Sequence, residues 1–339
     1  MFQTEIHIAL QSLASDGLTW LMRQITASGY YSSVAALVLI VTLGIHLRKG
    51  FLLFQIFAWT GVASELCKAF FGLPRPFFAD NRVLCLESGW DAAGSFRAQG
   101  AASFFSLPPS AVIDAFRLKG ISFGFPSGHV SGSVAMWGGL AVLFHKRWLD
   151  WLAPLLIVLT ALTRMYLGVH FLADILGGAL LGGLMLLLAY RLIGGADGRR
   201  RFFAAAKIDA GPLLPLVLYA LCMFVLPLLL VLLSMIPASF AGFFIGMNAA
   251  FALILRRDPP ADGGSLAVRT ARVVIGGSIF LLLDWSLWHG LVRLDLSAGS
   301  WPLFFSTGLG CFLTFWLTVR LCQRLGLYKK ESAEPVAGR

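Results

Sequence analysis

The chain has 339 residues, 58% of them hydrophobic and only 13% charged, with a formal net charge of +10. A soluble globular domain carries about a quarter charged residues, so this composition excludes an ordinary water-soluble enzyme and points to lipid as the solvent. The basic excess fits residues that flank membrane spans on the cytoplasmic side, and no nucleic-acid partner is expected.

In chain order, residues 3–25 mix polar and apolar side chains, with Ile6, Leu10, Leu13, Leu18, Leu21 and Met22 forming a partial stripe. That pattern predicts a helix over 1–28 that lies in the membrane interface and does not span it. The first residues lack a basic start followed by an apolar run, so no secretory leader is expected. Spans are predicted at 30–47, 51–73, 127–145, 151–168 and 171–192, then at 212–235, 238–255, 273–292 and 301–321. The expected fold class is all-α: a polytopic helical membrane protein of about nine spans. A core at 29–193 carries a polar loop, 74–125, too long to be idle in a compact protein. A cytoplasmic basic linker at 194–211, a four-helix membrane region at 212–325 and a cytoplasmic tail at 326–339 complete the expected organisation.

With the long loop facing outward, 18 of the 27 basic residues fall on the inner side, among them Arg48, Lys49, Lys146, Arg147, Arg256 and Arg257. This asymmetry follows the positive-inside rule, and Trp148, Trp151, Trp288 and Trp301 suit interfacial belts. Of the five cysteines, Cys67, Cys222, Cys311 and Cys322 lie in apolar runs and Cys85 in the polar loop, without metal-binding spacing.

Three polar clusters interrupt the apolar chain. Lys68 and Arg75-Pro76 close the second span, Pro126-Ser127-Gly128-His129 opens the third, and Arg164, His170 and Asp174 bracket the turn between the fourth and fifth. The third and fourth spans form a hairpin, so topology brings all three clusters to one face. Charges at membrane depth are expensive and mark function, and this set calls for a polyanion. His170 and Asp174, four apart, share a helix face. The carboxylate can fix the imidazole tautomer and leave the other ring nitrogen free to attack phosphorus. Lys68, Arg75 and Arg164 can hold phosphoryl oxygens. The Ser127 hydroxyl and the Ser127 and Gly128 N–H groups sit at a helix start, which favours anions. His129 is then the candidate general acid and base. Nothing resembles a two-metal carboxylate site, so no metal and no cofactor are expected.

The spacings Lys-x6-Arg-Pro, Pro-Ser-Gly-His and Arg-x5-His-x3-Asp resemble the three-part signature of the type 2 phosphatidic acid phosphatase family, whose superfamily includes glucose-6-phosphatase and the vanadium haloperoxidases. The resemblance covers about 30–192 and departs at Thr163, where the family usually has Ser, and in the C-terminal extension. It implies a phosphohistidine intermediate, no metal, and functional roles for Lys68, Arg75, Ser127, Gly128, His129, Arg164, His170 and Asp174. The expected function is a phosphatase acting on a lipid phosphate or pyrophosphate, multi-pass in a bacterial inner membrane, with its site facing the periplasm. Phosphoryl transfer to a lipid or sugar hydroxyl, and non-catalytic lipid binding, are the alternatives.

Smaller expectations follow. Glu65 stands three residues before Lys68 and can pair with it. Asp284 and His289 can form a polar contact within the bundle or line a substrate path. Gly177, Gly178, Gly182 and Gly183 predict close helix contact. Phe77, Phe78, Phe104, Phe105, Val112, Ile113 and Phe116 predict a lid or access wall within the loop.

Overall fold

A computed structural model describes residues 1–87, 96–119, 122–193, 213–257, 259–296 and 300–330. The expected basic linker, 194–211, and most of the tail lie outside these residues. The chain forms two compact units, one of Met1–Ala35 with Leu53–Leu192 and one of Ala36–Leu52 with Ile193–Arg339.

In the first unit, α1 (Glu5–Gln11) and α2 (Asp16–Ala27) form the N-terminal stretch. It is two helices, broken where Ser15 turns extended and its hydroxyl accepts from the Leu18 N–H. Next come α3 (Tyr31–Leu39) and the long α4 (Leu47–Phe71), within which the division between the units falls. The loop after α4 contains α5 (Pro76–Ala79) and α6 (Ser110–Lys119). Phe77, Phe78, Val112 and Phe116 are buried there, in one cluster with Phe171 and Leu167. Phe104 and Phe105 are exposed. The loop thus shares one apolar core with residues 166–173, and only part of its aromatic set is exposed as an outer wall.

The helices α7 (Gly128–Ser133) and α8 (Gly139–Phe144) join through a wider π-helical turn, Val134–Gly138. They precede α9 (Arg147–Tyr166) and α10 (Leu172–Leu192). A side chain on Gly178 would lie 2.6 Å from the Ser127 carbonyl oxygen, and one on Gly182 would lie 2.8 Å from that of Ser131. Gly177 meets Phe125 equally closely, whereas Gly183 faces open space, contrary to the expectation that all four glycines lie at contacts. Leu180, Leu184, Leu187 and Leu188 on α10, and Trp148 and Trp151 at the start of α9, are exposed. Such a surface is stable in lipid, not in water.

In the second unit, α3 continues as a π-helical turn, Ile40–Ile45, and turns into α4 at His46. Asp262 closes that corner: one carboxylate oxygen accepts from the Leu47 N–H at 2.9 Å and the other meets His46 Nδ1 at 2.8 Å. The remaining helices are α11 (Leu213–Ala220), α12 (Leu226–Leu232), α13 (Ala238–Arg257), α14 (Leu266–Arg293) and α15 (Ser300–Arg324). On α13, Gly242 and Gly246 stand four apart, and a Cβ on either would come within 2.2 Å of a backbone oxygen of α15, at Phe304 or Gly308. Small residues on one stripe let two helix backbones touch, which replaces hydrophobic driving force inside a bilayer. A two-residue antiparallel pairing joins β1 (Pro260–Ala261) to β2 (Lys329–Lys330).

The architecture is all-α and polytopic, but among the described residues six helices are long and apolar enough to span, seven if a bent pair over Asp16–Ala27 and Ser32–Ile45 is one span. The expected spans at 127–145 and 212–235 correspond to shorter apolar helices, Gly128–Phe144 and Val217–Leu232. His289 bonds the Trp285 carbonyl at 2.8 Å on its own helix and its ring lies tilted against that indole, in place of the expected contact with Asp284.

Candidate active site

Four helix ends converge in the first unit: the C-terminal ends of α4 and α9 and the N-terminal ends of α7 and α10. Backbone bonds tie them. The Ser127 N–H donates to the Asp174 carbonyl at 2.9 Å, and the Gly124 N–H to the Leu73 carbonyl at 2.8 Å. Gly128 faces Lys68, its Cβ position 3.4 Å from the ammonium nitrogen and 3.5 Å from the Ser64 hydroxyl. The helix α9 ends in a left-handed Gly168, φ +75°, where a Cβ would meet the Leu84 carbonyl at 2.3 Å. The turn from Arg164 to His170 therefore lies beneath the loop backbone.

His170 is 2% exposed. Its Nδ1 lies 3.2 Å from the Asp174 carboxylate, one turn along the helix start, and the same oxygen accepts from the Phe171 N–H at 2.9 Å. An acceptor at Nδ1 places the ring proton there and leaves the lone pair on Nε2. Arg75 Nη1 stands 3.2 Å from Nε2. Burial, then the Arg75, Arg164 and Lys68 charges, hold the His170 imidazole well below the usual histidine range, so it is neutral at pH 7. His7 on α1 approaches from the other side, its Nε2–H donating to the His170 carbonyl at 2.9 Å. Burial keeps His7 neutral as well.

The cations are anchored rather than loose. Lys68 meets Glu65 at 2.6 Å, as the spacing predicts. Arg75 donates to the carbonyls of Ser122, Val169 and Phe123 and to the Ser122 hydroxyl. Arg164 is 2% exposed and is gripped by Glu87, with Nη1 and Nη2 at 2.6 and 2.7 Å from its two oxygens, while Nη1 also reaches Thr26 at 3.0 Å. Burial opposes ionisation of Glu87, yet Arg164 and the Tyr30 hydroxyl hold its carboxyl below the usual range.

His129 lies edge-on to Tyr30 at 5.4 Å and close to Gly29. Its Nε2, the Ser127 hydroxyl and the Ser64 hydroxyl are buried and have no partner among the described residues. The Lys68, Arg75 and Arg164 charges act on both imidazoles. The fold thus gathers Lys68, Arg75, Ser127, Gly128, His129, Arg164, His170 and Asp174. One expected detail differs: the Ser127 N–H is consumed by the Asp174 carbonyl, which leaves the hydroxyl as that residue's donor.

Glu87, Thr26, Tyr30 and His7 were not singled out by sequence. Glu87 and Arg164 are 77 residues apart, and no periodicity connects them. The available signal was weak: a carboxylate in the loop of a chain that has only 17 acidic residues.

Residues 49–196 match the family model of the PAP2 superfamily. The match begins within α4 and ends just past α10 in sequence. It is a little under half of the sequence and contains all eight expected site residues and Glu87, whereas His7, Thr26 and Tyr30 precede the PAP2 match. Over 65 residues the chain is 42% identical to a lipid A 4'-phosphatase of Bacteroides thetaiotaomicron, covering 19% of this chain and 29% of that protein. Over 91 residues it is 35% identical to phosphatidylglycerophosphatase B of Bacillus subtilis, covering 24% of this chain and 43% of that protein. The chain therefore spans less than half the length of either curated relative. No solved structure matches it.

Proposed function

We propose that this chain hydrolyses a phosphate or diphosphate carried by a membrane lipid, at the non-cytoplasmic face of a bacterial inner membrane. The observation that carries the reading is the hydrogen-bond geometry of His170: Nδ1 against Asp174 at 3.2 Å and Nε2 against Arg75 at 3.2 Å. Nε2 attacks phosphorus in line with the leaving oxygen, an N–P bond forms and the P–O bond to the lipid breaks. The bound phosphate offsets the neighbouring cations so that His129 takes up a proton, and its imidazolium gives that proton to the leaving alkoxide. Lys68, Arg75, Arg164 and the Ser127 hydroxyl offset the charge on the phosphoryl oxygens, where no covalent chemistry is asked of them. Water then attacks the phosphohistidine, His129 takes its proton, and inorganic phosphate leaves. The names of the two relatives, the apolar helices and the sidedness of the basic residues all favour a lipid substrate in a membrane of this orientation.

The test is phosphate release by the purified full chain from phosphatidic acid, phosphatidylglycerol phosphate, undecaprenyl pyrophosphate and lipid A. Release is expected from at least one lipid, blocked by orthovanadate and insensitive to a chelator. His170→Ala is expected to lower turnover by at least about 10⁴-fold, the scale of losing a covalent nucleophile. Undiminished turnover in that variant would overturn the mechanism.

A further inference from the structure

The guanidinium of Arg164 has five N–H donors. Three are spent on the protein: one on Thr26 and two on the carboxylate of Glu87, which takes Nη1 and Nη2 end-on. By guanidinium geometry, the two donors left over are Nε–H and the second Nη2 hydrogen, and they lie parallel on the adjacent edge. Nε is buried and has no partner among the described residues. A parallel pair of N–H groups on one edge is the fork that takes two oxygens of a phosphate.

Glu87 is itself held firmly. Tyr30 donates to its Oε1 at 3.0 Å. The backbone before it is fastened by the Leu86 N–H on the Leu167 carbonyl at 3.0 Å, and by Arg23 on the Leu86 carbonyl at 2.8 Å. Gln11 bonds both the N–H and the carbonyl of Leu84. The carboxylate therefore has little freedom to follow the arginine, and the arginine must conform to it.

We infer that Glu87, with Thr26, is the positioning residue that orients Arg164 so that its Nε/Nη2 edge is presented to the transferring phosphoryl group. This rests on the proposed phosphatase reading. Glu87 touches no reacting atom and acts only through Arg164. A preset fork favours the transition state over the bound substrate, because the oxygens spread into the equatorial plane only as the P–O bond breaks. The signature is therefore in kcat and not in KM.

The experiment compares the full-length wild type, Glu87→Gln, Thr26→Val, Arg164→Ala and the double variant Glu87→Gln/Arg164→Ala, using lipid phosphate turnover and the rise in thermal midpoint produced by orthovanadate. Glu87→Gln is expected to lower kcat about 10- to 100-fold with KM within about threefold, and to lose the vanadate-induced rise. In the Arg164→Ala background the same substitution is expected to change kcat by less than about twofold, because residues acting as one unit are not additive. Thr26→Val leaves the charge pair intact and covers the case in which Glu87→Gln does not fold; its expected kcat loss is about 3- to 10-fold at constant KM. Wild-type kcat in Glu87→Gln, wild-type kcat in Thr26→Val should the former not fold, or a further full loss in the double variant, overturns the inference and leaves the phosphatase reading standing. A wild type that releases no phosphate but still gains stability from vanadate, with the gain absent in Glu87→Gln, overturns the lipid substrate and supports the fork. Neither release nor a vanadate effect in the wild type overturns both.

Discussion

Lys68, Arg75 and Arg164 show how a cluster of cations is stabilised inside an apolar fold. Lys68 has Glu65, Arg164 has Glu87, and Arg75 has backbone carbonyls. Isolated buried charges would cost several kcal/mol each, so partners are required. The Arg164–Glu87 pair is the most buried of these, with side chains 2% and 6% exposed. Removing one partner of such a pair costs roughly 3–5 kcal/mol, because the other is left charged and buried. The pH dependence has a definite sign. The Glu87 carboxyl titrates below its ordinary 4.5 in the folded protein. Its stabilising contribution is complete above that value and is lost as pH falls through the folded one. Thermal midpoints measured from pH 6 down to pH 3 should therefore drop more steeply for the wild type than for Glu87→Gln. Parallel curves would show that the pair is not the acid-sensitive element.

At the scale of elements, the site depends on how closely α10 approaches the start of α7. Gly178 permits the approach, because any Cβ there would overlap the Ser127 carbonyl at 2.6 Å. That carbonyl belongs to backbone, which cannot swing aside as a long side chain can. Overpacking of this kind typically costs about 1–3 kcal/mol, and here it also displaces Ser127 from Asp174. Gly178→Ala is therefore expected to lower both the thermal midpoint and phosphate release. Gly183→Ala, with nothing within 4 Å, should leave both near wild type and gain slightly in helix propensity. Equal behaviour of the two variants would refute the contact. The same reasoning explains the missing long helices. The stretch from Gly128 to Phe144 has the apolar composition of a span, but its 17 residues include a π-helical turn and it stops at His145 in a left-handed conformation. Hydropathy registers the composition; it does not register where the hydrogen-bond ladder breaks.

At the scale of the whole molecule, the orientation in the membrane is open to direct measurement. Phe105, in the loop near the site, is 85% exposed, and Trp148, at the start of α9, is 61% exposed. With the five native cysteines replaced, a single cysteine at Phe105 should react with a membrane-impermeant maleimide in intact cells. One at Trp148 should react only after the membrane is opened. The reverse pattern would turn the site toward the cytosol and contradict the charge asymmetry.

The local chemistry of this protein was legible without coordinates. Solvent class follows from composition, helices from apolar runs of the right length, and the His170–Asp174 contact from a spacing of one helical turn. Those are properties of neighbouring residues, and neighbours in sequence obey a fixed geometry. Which carboxylate pairs with Arg164, that His7 bonds the His170 carbonyl across 163 residues, and that Ser127 spends its N–H on Asp174 were decided only by the tertiary structure. Contacts between distant segments depend on how helices cross and where loops fold back, and no repeat along the chain encodes that.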